Sequence, residues 1–398
     1  MKSPNVFIIP VVLIALAGSV LAQTSGNWAV DASGNWSDEP NWGLLPMDPV
    51  PGGQDSNVDL DFQITSDITV TIDGGVSRTV GHLTLGNSNG FRAYTLESDT
   101  TETLTFDVSS GDATVNFQGN VNTINTDILL DDNLVITNST SDNAFLSGSI
   151  SSSSAGTKTI TNAGTGSGPV FMELPISDGV GTVAVRQNSA TSLMLMRDIS
   201  NTIANTFSGG FFIDAGEIRT QRSNKLGSGE VHFADGTGWS TIGGESYGNI
   251  INFTGEVSIA PGGNLSISDG RLAADVTLVV SGSDSVRFTS LSDNGNGFSL
   301  TKEGDGNLRI LNGEATHTGG TFVNEGILDL SGSTSGNRLS ASSPVTINGG
   351  TLLNTVNNAT WENQTVGDVT LISGSIEAGS SDNSLTTTSM DVRSGTIS

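Results

Sequence analysis

The chain reads as an all-β protein wound into a parallel β-solenoid, and three features of its sequence predict this. Apolar residues recur two apart in short runs throughout. Turn-forming residues separate the runs, and one extended pattern occurs twice. A pleated strand sends alternate side chains to opposite sides, so each run has one dry and one wet face.

The N-terminus comes first. Lys2 precedes an apolar run over residues 6–17 broken only by Pro10, followed by Gly18-Ser19-Val20-Leu21-Ala22. The small or short side chains at Val20 and Ala22 suit a signal peptidase. The run is shorter than the about 20 residues needed to span a bilayer as helix. Residues 1–22 are therefore expected to be an export signal cleaved after Ala22, leaving Gln23 first.

Residues 23–53 hold Gly26-Asn27-Trp28, Gly34-Asn35-Trp36-Ser37 and Asn41-Trp42. Such a cluster could be a sugar-binding aromatic platform. The other reading is a cap, with indoles covering the open apolar end of the first coil. Because a stacked array must be protected at its ends, the cap is the expectation.

From residue 54 to 398 the strand runs follow one another. Ile68-Thr69-Val70-Thr71-Ile72, Leu104-Thr105-Phe106-Asp107-Val108, Leu134-Val135-Ile136, Val257-Ser258-Ile259 and Val345-Thr346-Ile347 are examples. Gly, Asn, Asp and Ser lie between them, residues that tolerate positive φ or form side-chain turns. Thr and Asn recur at the wet positions, where stacked coils can form side-chain ladders. Thr206-Phe207-Ser208-Gly209-Gly210-Phe211-Phe212-Ile213-Asp214-Ala215-Gly216-Glu217-Ile218 is matched in register by Thr316-His317-Thr318-Gly319-Gly320-Thr321-Phe322-Val323-Asn324-Glu325-Gly326-Ile327-Leu328. The repeat copies span roughly 193–236 and 298–350. A unit of this kind buries its apolar face only by stacking on its neighbours.

The second copy, preceded by Leu300-Thr301-Lys302-Glu303-Gly304-Asp305-Gly306-Asn307-Leu308-Arg309-Ile310, resembles the autotransporter-associated β-strand repeat, also called the passenger-associated transport repeat. His317 stands where that family usually has Tyr, and Asn307 where it has Thr or Ser. The first copy is degenerate and lacks the leading Leu-Thr-Lys. The resemblance implies a right-handed parallel β-helix, exported to a bacterial surface, with a role in passenger transport and no chemistry of its own. A passenger that exports itself would end in a membrane β-barrel. The sequence instead stops at Ser394-Gly395-Thr396-Ile397-Ser398, so it is expected to be a C-terminally truncated piece of a longer protein.

Composition narrows the function classes. The 41 acidic and 15 basic residues give a net charge of −26. That field disfavours nucleic acid and anionic lipid, and no membrane insertion is expected of the mature segment. With no cysteine, disulfides, thiol catalysis and Cys-ligated metals are excluded.

Enzymatic readings need clustered chemistry, because a glycosidase requires two carboxylates about 5–9.5 Å apart. Asp131 and Asp132 are adjacent, so on a strand they would point to opposite faces, and a turn between Leu130 and Leu134 explains them better. Asp59 and Asp61 could share a face but lack a basic neighbour in sequence. His82, His232 and His317 are each expected on a strand face. Arg219, Arg222 and Lys225 are expected in a loop between coils. Ser292-Asp293-Asn294-Gly295-Asn296-Gly297 has oxygen ligands and glycines but lacks the nonapeptide of calcium-binding β-rolls and the closing Glu of a helix-loop-helix site. It is expected to be a turn. No residue is assigned a catalytic, cofactor-binding or metal-binding role.

The expectation is an acidic, secreted or cell-surface structural passenger, adhesin-like and without catalysis, with surface glycans or cell-surface proteins as partner classes. The alternatives are an extracellular polysaccharide lyase or glycosidase, and a calcium-stabilised adhesin. An enzyme should gather carboxylates, basic residues and aromatics on one lateral groove. A scaffold should scatter them.

Overall fold

The computed structural model describes residues 23–43, 50–87, 90–173, 175–197, 204–311, 315–331, 337–354, 363–378 and 383–398. The expected export signal at 1–22 lies outside them.

One turn shows the plan. Ala113–Phe117 forms face A, Asn122–Asn125 face B and Asp127–Leu130 face C. The chain then returns to face A at Leu134–Asn138, and its next two strands lie over faces B and C. Leu134 pairs with Ala113, Leu146 with Ile124 and Ile150 with Ile128. All these pairings are parallel, as are the other strand pairs among the described residues. The two antiparallel contacts, Thr24 with Gly52 and Trp28 with Trp42, are isolated bridges at the N-terminal end. The expected parallel β-solenoid is therefore the fold, with three sides.

The dry positions of successive turns stack. On face A the register runs from Leu134 through Ile160, Val185, Phe211, Val231 and Ile251, all 0% exposed. Each such side chain contributes about 1.5–3 kcal/mol when fully buried. No turn could keep them dry alone, because the rungs above and below supply most of the cover. Turn length varies: 21 residues separate Val257 from Leu278, and 24 separate Leu278 from Lys302. Glu245–Ala260 passes through all three faces as one kinked strand, with register shifts at Tyr247/Ile250 and Phe253/Gly255.

Corners explain the glycines. A Cβ on Gly148 would sit 1.7 Å from the Thr126 carbonyl oxygen of the turn below. The two repeat copies also superpose in role. Gly210 and Gly320 have φ of 95° and 109°, a region that L side chains rarely adopt. Phe207 and His317, three residues earlier, both fill the interior. Both copies then support a further rung, with Val231 over Phe211 and Val345 over Thr321.

Hydroxyl ladders occur outside as the sequence predicts: Thr157 meets Thr182 at 2.8 Å and Thr351 meets Ser375 at 2.9 Å. Asparagine meets the expectation only in part: Asn116 and Asn252 take outward strand positions, but others do not. Asn122, Asn138 and Asn162 are buried, and each serves a corner. Asn138 donates to the Asp142 and Gly168 carbonyls and accepts from the Thr140 N–H. Where backbone leaves the strand ladder its polar groups need other partners, and an inward amide both donates and accepts.

Candidate functional site

Residues 23–43 supply the first rungs: Gly26 pairs with Val58 and Gly34 with Val70. Trp28, Trp36 and Trp42 are buried and join the same apolar core as Val58 and Val70. Trp42 lies edge-on to Trp28 at 5.2 Å and tilted against Trp36 at 4.9 Å. Trp36 Nε1 donates to the Pro51 carbonyl and Trp42 Nε1 to that of Trp36. Rings packed this way leave no open face on which a sugar could stack.

The acidic candidates are turn and surface residues. Asp131 and Asp132 follow the strand Asp127–Leu130, and both N–H groups donate to Phe106 O in the turn below. Asp132 accepts the Val108 N–H, and Asp131 accepts the Ser153 hydroxyl of the turn above. Asp59 lies on face A between Asn27 and Thr84. Burial and then the charge of Asp59 raise the Asp61 carboxyl above its usual range.

The histidines divide. His82 and His232 sit on strand faces as expected, His82 within 2.9 Å of Thr114 Oγ1. His317 contradicts the expectation. It lies before its strand rather than on it, is 0% exposed, and meets Thr321 Oγ1 at 2.8 Å through Nε2. Its Nδ1 is enclosed without a partner. Burial pushes its pKa down to about 4, opposed in part by the Asp293 charge. An aromatic-sized ring is needed at this corner, as Phe207 shows in the other copy.

Arg219, Arg222 and Lys225 do not share one loop. Arg219 lies on the strand Glu217–Thr220 and donates to Ser240 Oγ, so the expectation fails for it. Arg222 occupies a turn with φ of 78°, and Lys225 is buried. The segment at 292–297 is a turn closed by Asp293. Although burial opposes ionisation, N–H donors from Gly295, Gly297, Phe298 and Thr318 hold its carboxyl below the usual range. A carboxylate ringed by N–H donors is poorly set up to ligate calcium, which needs free oxygens. Among the described residues, no group of three or more His, Asp or Glu side chains is arranged to hold a metal.

A lateral stripe on face A gathers what sequence left scattered. Arg186, Phe212, His232, Asn252 and Arg271 occupy one outward column over five successive rungs. Phe212 and His232 stack at 5.0 Å with 5° between their planes, and the Arg186 guanidinium lies 5.1 Å from the Phe212 centroid. Arg186 pairs with Asp214, and Arg271 with Asp269 at 3.3 Å and Glu230 at 3.8 Å. A similar group on face B stacks Phe145 on Phe171 at 4.5 Å under Arg197, which bonds to Glu173. The charges answer one another locally, and the rings stack on one another and on guanidinium groups.

Sequence reasoning missed the polar interior. Lys302 is 0% exposed, and its Nζ donates to the carbonyls of Glu303, Gly304 and Glu325, tying two turns together. Burial lowers its pKa to about 8 against the pull of nearby carboxylates. Strand parity would have found it, since Leu300 points inward and Lys302 is two residues on. Glu245 is buried too, accepting from Thr220 Oγ1, Arg222 N and the Tyr247 hydroxyl.

Searches against curated proteins and solved structures return no match. The family model of the passenger-associated transport repeat matches residues 300–330, the segment containing Lys302, His317 and the Gly319-Gly320 corner. The chain therefore carries a passenger-associated transport repeat, built into a parallel β-solenoid.

Proposed function

We propose that the chain is an exported, cell-surface structural passenger that extends and displays rather than catalyses. The observation carrying this reading is the position of the repeat. The described residues of the matched segment 300–330 are not an appended module but rungs of the same ladder, with Leu300 over Val276 and Val345 over Thr321. The side chains with the most distinctive chemistry there, Lys302 and His317, are spent inside the column on corners. Export follows from the repeat family and from the N-terminal residues, and the buried indoles serve as the cap of the first coil. Adhesion would use the lateral faces, with surface glycans or other surface proteins as partners. The net charge of −26 turns nucleic acid away.

The test is expression with the native N-terminus in a Gram-negative host. The expected product begins at Gln23 and is found outside the cytoplasm. A cytoplasmic product that retains residues 1–22 would refute export.

One observation favours a second reading, a polysaccharide-active enzyme. The face A stripe combines arginines, an aromatic, a histidine and carboxylates on one side. Incubation with uronate-containing and neutral polysaccharides, followed for new reducing ends or unsaturated products, separates the two. Product formation that is lost in Glu230→Gln would establish the enzyme.

A further inference from the structure

Face C places two arginines on neighbouring rungs. The register pairs Arg287 with Arg309, and Arg309 with Asp329 one turn on. Rungs lie about 4.8 Å apart, so the two side chains leave the ladder from adjacent positions. Arg309 is answered within the protein: its Nε donates to Ser331 O at 2.7 Å and lies 3.5 Å from the Asp329 carboxylate. Arg287 is not. Among the described residues it pairs with no carboxylate, and its Nε is enclosed without an acceptor. Asn307, on the same rung as Arg309, likewise has an enclosed Oδ1 without a partner. In a chain with 41 acidic residues and 15 basic ones, Arg287 shares with Arg78 an enclosed, unpartnered Nε, but Arg78 lies beside Leu104 whereas Arg287 lies beside a second arginine. The stripe on face A shows the usual solution, where each arginine has an acid beside it.

We propose that Arg287 and Arg309 form an oxyanion-binding site on face C, taking one carboxylate or sulfate group between adjacent rungs. The chemistry is that of charge-assisted hydrogen bonds from planar guanidinium forks, which suit an oxygen pair of either group. A bound anion would give the Arg287 Nη groups the carboxylate or sulfate partner that no side chain of the fold supplies. Asp329 neutralises only one of the two charges, so the column retains one positive charge for the ligand. The site differs from the face A stripe in residues and in face, and it does not depend on whether the chain is a passenger.

The experiment uses the whole mature chain, isotope-labelled, titrated separately with sodium sulfate and with sodium glucuronate while amide shifts are followed. Both ligands are expected to move amides at 285–289 and 307–311 in a saturable way, with affinity falling as sodium chloride is added. Arg287→Gln should weaken binding at least tenfold, Arg287→Lys should weaken it less, and Arg393→Gln, at an arginine paired with Asp391, should leave it unchanged. A response to glucuronate without one to sulfate would assign the site to sugar acids. A response to both would assign it to the oxyanion itself. Equal binding by wild type and Arg287→Gln, or shifts spread evenly over all three faces, would overturn the proposal.

Discussion

Replacing His317 with phenylalanine should make the repeat corner insensitive to mild acid. The imidazole is fully enclosed, and burial holds its pKa at about 4 against an ordinary 6.5. Between those values the unfolded chain binds a proton that the folded chain refuses, so stability rises with pH across that window. The contribution is fully present above about 6.5 and is lost progressively as pH falls towards about 4. At about 1.4 kcal/mol per pH unit, the full span corresponds to about 3 kcal/mol. Phe207 occupies the equivalent corner of the first copy, fully buried, so a phenyl ring fits this geometry and His317→Phe should fold. The assay is amide hydrogen exchange at pH 7 and pH 4.5, with protection over residues 315–323 divided by that over 204–213 in the same molecules. The wild-type ratio should fall at least tenfold on acidification, and the variant ratio should stay level. Asp61 and Asp107, whose carboxyls burial raises, titrate in both proteins and cancel. Equal acid responses in wild type and variant would refute the reasoning.

Three further outcomes follow from the same geometry. Trp36→Ala, which removes a buried ring packed on Trp42, should cost about 3–5 kcal/mol and expose the first rungs, read as a lower melting temperature with concentration-dependent association; unchanged melting would discard the cap. Gly148→Ala drives a methyl into the Thr126 carbonyl and should destabilise by about 1–3 kcal/mol as overpacking, read as a lower urea midpoint, whereas Gly243→Ala, with open space around it, should be neutral; equal effects would refute close approach at that corner. Lys302→Met should cost about 1–3 kcal/mol through carbonyls left without donors. Because burial sets the Lys302 pKa at about 8, below its unfolded 10.5, wild-type stability relative to that variant should rise with pH from about 8 upward, and a flat difference in thermal melts from pH 7.5 to 9.5 would contradict it.

The alternating pairs in the sequence determined the strands and which side of each faces inward, because a pleat leaves no other arrangement once one member is apolar. Leu134 and Ile136 point in, and Val135 points out, by parity alone. Parity also contained the inward direction of Lys302, but a lysine at that position reads as solvated until the three carbonyls that receive it are seen. His317 lies outside any strand, so alternation was silent about it, and only the comparison with Phe207 and with the Tyr usual in the resembled repeat pointed to a ring at that position.

What tertiary structure alone decided is adjacency between turns. Turns take 21 residues in one place and 24 in another, and the corner loops absorb the difference. A side chain's neighbours along the column therefore depend on the geometry of every loop between them, which no local pattern encodes. The meeting of Arg186, Phe212, His232, Asn252 and Arg271 on face A, and of Arg287 with Arg309 on face C, exists only because the rungs stack in one register. In and out are properties of single strands, but company along the rod is a property of the wound chain.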